Sequence, residues 1–100
     1  MAQPVARAGA IAPGTMERVT VDGVDVLICN VGGAFYAVED ICTHDGSPLD
    51  AGELDGARVV CPRHGACFDV TTGKALTLPA VSPLPTYDVR VDGDDIYVDA

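Results

Sequence analysis

The sequence predicts a small all-β domain built from antiparallel sheets, and three observations carry that prediction. Its periodic segments are dominated by β-branched residues, glycine-containing turns recur about every ten residues, and helix-forming patterns are scarce. At 100 residues the chain has room for one modest core and no second folded unit of ordinary size, so residues 1–100 are read as a single domain. Hydrophobic residues make up 48% of it, with 11 Gly and 7 Pro, which suits a folded, turn-rich protein.

The elements follow in order. Residues 16–21 and 24–31 alternate around Asp22-Gly23, a two-residue hairpin signal whose Gly accepts the positive φ of a type I′ turn. Gly32-Gly33 then returns the chain into residues 34–39, completing a three-stranded meander. Near the other end, residues 87–91 and 96–98 alternate apolar and polar around Asp92-Gly93-Asp94, a second hairpin. Between these halves lie residues 41–81, rich in Gly and Pro, which carry both His and three of the four Cys and read as an inserted subdomain. Within it, residues 53–56 turn into 58–61, and 67–70 form a further short strand before a Thr72-Gly73 turn.

Charge narrows the partners. With 15 acidic against 6 basic residues the net charge is −9, so nucleic acid and anionic membrane surfaces are electrostatically unfavourable. A basic protein surface fits better, although the same charge also serves as a solvated coat that keeps the protein soluble. No apolar run in residues 1–15 makes a signal-peptide core, and none approaches the roughly 20 residues that span a bilayer. A cytoplasmic protein is expected, in which four Cys are metal ligands or buried thiols before they are disulfides.

The chemistry concentrates in two short runs. Cys42-Thr43-His44 and Cys61-Pro62-Arg63-His64 each offer one thiolate and one imidazole, separated by the 16 residues from Asp45 to Val60. Four protein ligands, two Cys and two His, are what a Rieske [2Fe–2S] cluster requires. Oxidised, two ferric ions, two sulfides, two thiolates and two neutral imidazoles sum to zero charge, whereas a four-Cys cluster starts at minus two. Adding an electron to the neutral site costs less, which lifts Rieske potentials to about −150 to +300 mV. A structural zinc site also uses two Cys and two His. Zinc fingers usually pair Cys with Cys and His with His, whereas here the order alternates, so zinc stands as the alternative reading.

The runs Phe35-Tyr36-Ala37-Val38-Glu39-Asp40-Ile41-Cys42-Thr43-His44, Cys61-Pro62-Arg63-His64-Gly65-Ala66-Cys67-Phe68-Asp69-Val70 and Thr72-Gly73-Lys74 resemble the Rieske ferredoxins that feed ring-hydroxylating dioxygenases. The resemblance implies an all-β Rieske fold, with a cluster-binding subdomain at about residues 41–81 inserted in a β base domain. It implies that Cys42 and Cys61 hold the inner iron, and His44 and His64 the outer one, through which electrons leave. It further implies a monomeric electron carrier, not an enzyme in itself, moving one electron from an NAD(P)H-dependent ferredoxin reductase to a terminal oxygenase through transient contacts. An accessory Rieske subunit of another complex, serving nitrite reduction or cluster assembly, fits the same residues.

The chain departs from the cytochrome bc-type branch in informative ways. Ser47 and Arg63 stand where that branch has a disulfide between the ligand loops, and Ala66 and Phe68 where it has hydroxyl donors to the cluster. Each missing donor leaves the reduced cluster less stabilised, so a potential of about −150 mV is expected. Gly46 and Gly65 are expected to let backbone N–H groups approach the bridging sulfides, and Leu78-Pro79-Ala80 to form a third loop over the cluster. Cys29 and Cys67 read as buried thiols, and Tyr36 and Phe68 as core aromatics. Asp45, Ser47 and Arg63 flank the ligands on the expected docking face. With both His used there is none for a mononuclear iron site, and no Gly-x-Gly-x-x-Gly run marks a nucleotide site.

Overall fold

The structure, a computed structural model, describes residues 3–43, 46, 48–62, 65–77 and 82–99. Strands form where the sequence alternates and end where glycines admit positive φ. β2 (Met16–Val21) and β3 (Val24–Val31) pair antiparallel with Val21 opposite Val24. Between them Asp22 and Gly23 have φ of 51° and 81°, the left-handed pair that a type I′ turn demands. β4 (Ala34–Glu39) follows across Gly32-Gly33 and pairs with β3 from Val31↔Ala34 to Val26↔Glu39.

The C-terminal hairpin joins β8 (Thr86–Asp92) to β9 (Asp95–Asp99). Its turn is tighter than the sequence suggests: Asp92 pairs with Asp95, leaving Gly93-Asp94 as the connection. β8 docks on β4 through Ala37↔Tyr87 and Val38↔Thr86, which joins meander and hairpin into one sheet. A strand absent from the sequence reading, β1 (Ala6–Arg7), adds to the edge of β9, giving the order β1-β9-β8-β4-β3-β2. A single 3-10 turn, Ala8–Ala10, follows it.

Residues between β4 and β8 build the smaller sheet. β5 (Glu53–Asp55), β6 (Arg58–Val60) and β7 (Cys67–Asp69) lie in the order β5-β6-β7, and Phe68 makes one further bridge to Ala75.

Two cores result, and the alternation of β3 and β4 assigns residues to them. In β3, Val26, Leu27, Ile28 and Cys29 are all 0% exposed, because both faces of this central strand are covered. Val26, Ile28 and Ala37 point into one core with Ile11, Ile96 and Val98. Leu27, Cys29 and Val38 point the other way, into a core completed by Leu49, Val59, Phe68, Val70, Leu84, Cys42 and Cys61. Asn30 is buried and satisfied: its Nδ2 donates to the Ile11 carbonyl at 2.7 Å and its Oδ1 accepts the Gly33 N–H at 2.8 Å. Among the described residues no helix is long and apolar enough to cross a membrane.

Candidate metal centre

Two loops rise from the second core, each rooted on a cysteine. The first follows β4 and runs past Cys42 to Asp50; the second leaves β6 at Cys61 and returns into β7 at Cys67. Cys42 is 0% and Cys61 1% exposed, and both belong to the cluster of Val59, Ala66 and Phe68. Two thiols separated by 18 intervening residues are thus brought to one apolar floor.

The loops repeat one local geometry. The Gly46 N–H donates to the Cys42 carbonyl at 2.8 Å, and the Gly65 N–H donates to the Cys61 carbonyl at 3.0 Å. Both glycines are left-handed, with φ of 77° and 71°, and a Cβ on either would meet nothing within 4 Å. Glycine is required there by backbone conformation and not by crowding. Their own N–H groups are engaged by the cysteine carbonyls. A turn closing four residues on needs that N–H for itself.

His44 and His64 lie outside the described residues, as do Asp45, Ser47, Arg63 and the Leu78-Pro79-Ala80 segment. The described flanks of that segment are tied to both loops. Thr43 Oγ1 donates to the Ser82 carbonyl at 2.7 Å, and Thr77 Oγ1 accepts the Cys67 N–H at 2.9 Å.

Cys29 and Cys67 are free thiols. Burial, with a smaller contribution from the negative Asp40, pushes the Cys29 thiol up to about 12, so it stays protonated at neutral pH. The Cys67 thiol is 3.5 Å from the Gly65 carbonyl, to which it donates.

Asp40 is a residue to which the sequence reading gave no role. Its side chain is 1% exposed. One oxygen, Oδ1, accepts the N–H groups of Leu49 at 2.7 Å and Asp50 at 2.8 Å. The other, Oδ2, lies 3.3 Å from Arg18 Nε and receives no aligned hydrogen bond from any described group. Burial first, and the neighbouring Asp50 next, raise this carboxyl above the ordinary carboxylate range. Its position two residues before a candidate ligand is the sequence signal that could have singled it out.

The donor set suits an iron–sulfur group. Soft thiolates on a dry floor bind iron or zinc, and both Cys42 and Cys61 meet that floor. Known proteins decide between the metals. The profile of the Rieske [2Fe-2S] domain matches residues 1–88. The ferredoxin component of biphenyl 2,3-dioxygenase from Rhodococcus jostii (strain RHA1) is 44% identical over 95 residues, covering 95% of this chain and 89% of that protein. The ferredoxin subunit of 3-phenylpropionate/cinnamic acid dioxygenase from Escherichia coli (strain K12) is 48% identical over 85 residues, covering 83% of this chain and 80% of its own. Among solved structures, the ferredoxin of carbazole 1,9a-dioxygenase from Nocardioides aromaticivorans IC177 superposes with a TM-score of 0.93 at 36% identity, covering 98% of this chain and 96% of that one.

The chain therefore belongs to the Rieske [2Fe-2S] domain family, and its fold is the all-β Rieske fold. Its prosthetic group is a Rieske [2Fe–2S] cluster, and within the family it is a ferredoxin, an electron carrier. The zinc reading is set aside.

Proposed function

We propose that this ferredoxin carries single electrons from an NAD(P)H-dependent reductase to the terminal oxygenase of a ring-hydroxylating dioxygenase, using a cluster held by Cys42, His44, Cys61 and His64. The observation that carries the ligand set is the burial of Cys42 and Cys61 in one apolar cluster, each at the root of a turn of the same geometry. The biphenyl and phenylpropionate ferredoxins support the dioxygenase setting. A solved complex of oxygenase and ferredoxin from carbazole 1,9a-dioxygenase, whose ferredoxin chain is 39% identical to this one with a TM-score of 0.91, supports the oxygenase as partner.

When bound, the cluster supplies a one-electron couple at an intermediate potential. The chain's own residues do the rest. Cys42 and Cys61 would hold the cluster as its two thiolate ligands, and Leu49, Val59, Phe68 and Leu84, packed in the same core, would keep water from that side. His44 and His64 would supply the two neutral ligands, which would leave the oxidised centre uncharged. Residues 41–81 act as a cluster-binding subdomain within a single domain spanning residues 1–100, and the carrier works as a monomer in the cytoplasm. The free thiols Cys29 and Cys67 accord with a reducing compartment.

The test is direct. Freshly purified protein should contain two irons and two acid-labile sulfides per chain, as [2Fe–2S] chemistry requires. Substituting His64→Cys, where the cluster survives, should lower the potential because a third thiolate makes the site more anionic. An unchanged potential and spectrum would remove His64 from the ligand set, and iron-free protein after anaerobic reconstitution would remove the reading altogether.

A further inference from the structure

We propose that Asp40 is the positioning residue of the first ligand loop, closing it into a ring through the N–H groups of Leu49 and Asp50 so that Cys42 is set before metal arrives. The inference rests on the reading of Cys42 as a ligand.

The described residues between β4 and β5 form no strand, and Leu49 is 0% exposed, so its N–H must find an acceptor inside the protein. Asp40 Oδ1 supplies it, at 2.7 Å, and takes the next N–H, that of Asp50, at 2.8 Å. Two consecutive N–H groups converging on one oxygen fix the direction of the chain at the far end of the loop. The near end is fixed too, because the Asp40 N–H donates to the Asp25 carbonyl of β3 at 2.9 Å. Asp40 therefore joins β3, the start of the loop and its end.

Inside that ring the Cys42–Gly46 turn is closed by its own bond, and the Leu49 side chain packs in the same core as Cys42. Cys42 is thus bracketed by a ring closure and a buried anchor. The role belongs to the acceptor oxygen and not to the ion pair. Oδ2 makes no aligned hydrogen bond with Arg18, and Arg18 keeps a shorter contact, 2.7 Å, to the exposed Asp25.

The experiment compares the iron-loaded wild type with Asp40→Ala and Asp40→Asn. Two readings are taken: the rate of iron release into excess chelator, and deuterium uptake in a peptide spanning residues 46–52. Asn retains a carbonyl oxygen at the Oδ1 position, and the half-exposed Arg18 can swing away from the new amide. The expected result is that Asp40→Ala releases iron and takes up deuterium about ten-fold faster or more, as follows from two orphaned N–H groups. Asp40→Asn should stay within about three-fold of wild type in both readings.

Ala behaving like wild type would overturn the proposal, and so would Asn failing as badly as Ala. Should the Ala variant not fold, Asn still decides: slow release supports the acceptor role, and fast release refutes it. Deuterium uptake reads the loop closure with or without iron. A failure of the cluster reading therefore appears separately, as absent iron and sulfide in the wild type.

Discussion

Truncating Phe68 to Ala tests whether the floor under the two cysteines is as rigid as its packing implies. Phe68 is 0% exposed and is the largest of the fully buried side chains. It sits in β7 opposite Val59, bridges to Ala75, and shares its core with Cys42 and Cys61. A Phe→Ala change in a core costs about 3–5 kcal/mol, more where the walls cannot collapse. Here the walls are Leu27 and Val38 on paired central strands, with Leu49 and Val59 also fully buried, so relaxation is limited. A cost of about 4 kcal/mol is expected, a large share of the about 5–15 kcal/mol that holds a domain together. In a domain of this size that lowers the thermal midpoint by about 16–32 °C. The assay is a melt of iron-loaded wild type and variant at one scan rate, followed by far-ultraviolet dichroism and visible absorption. Phe68→Leu, which keeps most of the volume, should lose about half as much or less. A drop of under about 5 °C for the Ala variant would refute the rigid-floor reasoning.

Other consequences are open to measurement. In the C-terminal hairpin Asp88 faces Asp99 and Asp92 faces Asp95 across the strands, and like charges directly opposed are destabilising. Asp88→Asn should therefore stabilise the protein by about 0.2–1 kcal/mol in low salt. The gain should shrink near 1 M salt, where screening falls to about 3 Å; a salt-independent gain would point elsewhere. Asp94 is held below its ordinary 3.8 by the Gly9 N–H and Arg7, and Asp69 below it by Thr71. A depressed carboxyl stabilises the fold above its unfolded value and loses that contribution as pH falls through the folded one, so stability should decline below about pH 4. Asp94→Asn should flatten that decline, as urea midpoints across pH would report. Cys29, raised to about 12, should resist alkylation at pH 8 in the folded protein and react once it is unfolded. The potential should lie near about −150 mV, and a titration well above zero would contradict the argument from Ala66 and Phe68. If the acidic surface steers a basic partner, reduction of this ferredoxin by a reductase should slow as salt rises.

The meander was legible because each of its turns carries its own chemistry. Asp22-Gly23 and Gly32-Gly33 set the hairpins, and the strands observed at Met16–Val21, Val24–Val31 and Ala34–Glu39 begin and end where alternation and glycine placed them. Short-range signals stop at longer separations. The β4–β8 pairing joins Ala37 to Tyr87, and nothing near either residue names the other. β1 is two residues long, too short for a periodic pattern, and its neighbourhood is held by Asp94. That carboxylate accepts Arg7 Nε at 3.1 Å and the Gly9 N–H at 2.8 Å. Spacing singled out Cys42 and Cys61 and a glycine after each, and the structure buries both cysteines in one core and gives both glycines positive φ. That each glycine closes a turn onto the carbonyl of its cysteine could not be read there, because which N–H groups a turn engages is decided only in three dimensions. Asp40 escaped for the same reason: an acid in a sequence looks solvated until its partners, nine and ten residues on, are seen to converge.

The division into two cores explains how the protein tolerates its own charge. Among the described residues three basic side chains are tied up in ion pairs: Arg7 with Asp94, Arg18 with Asp25 and Asp40, and Arg58 with Asp55. Arg90 lies 4.2 Å over the Tyr97 ring, in the middle of the acidic hairpin face. Cation and ring there give the two opposed Asp pairs a favourable contact between them. The repulsion that remains falls on β8 and β9, whose inward residues Val89, Ile96 and Val98 belong to the core of the large sheet. The cysteines belong to the other core, and the two communicate through β3 and β4, whose paired backbones are fixed from Val26↔Glu39 to Val31↔Ala34. A strand pair locked along that length transmits little of a side-chain strain at the hairpin. Charge on the hairpin can therefore change on one side of the wall while Cys42 and Cys61 keep their floor on the other.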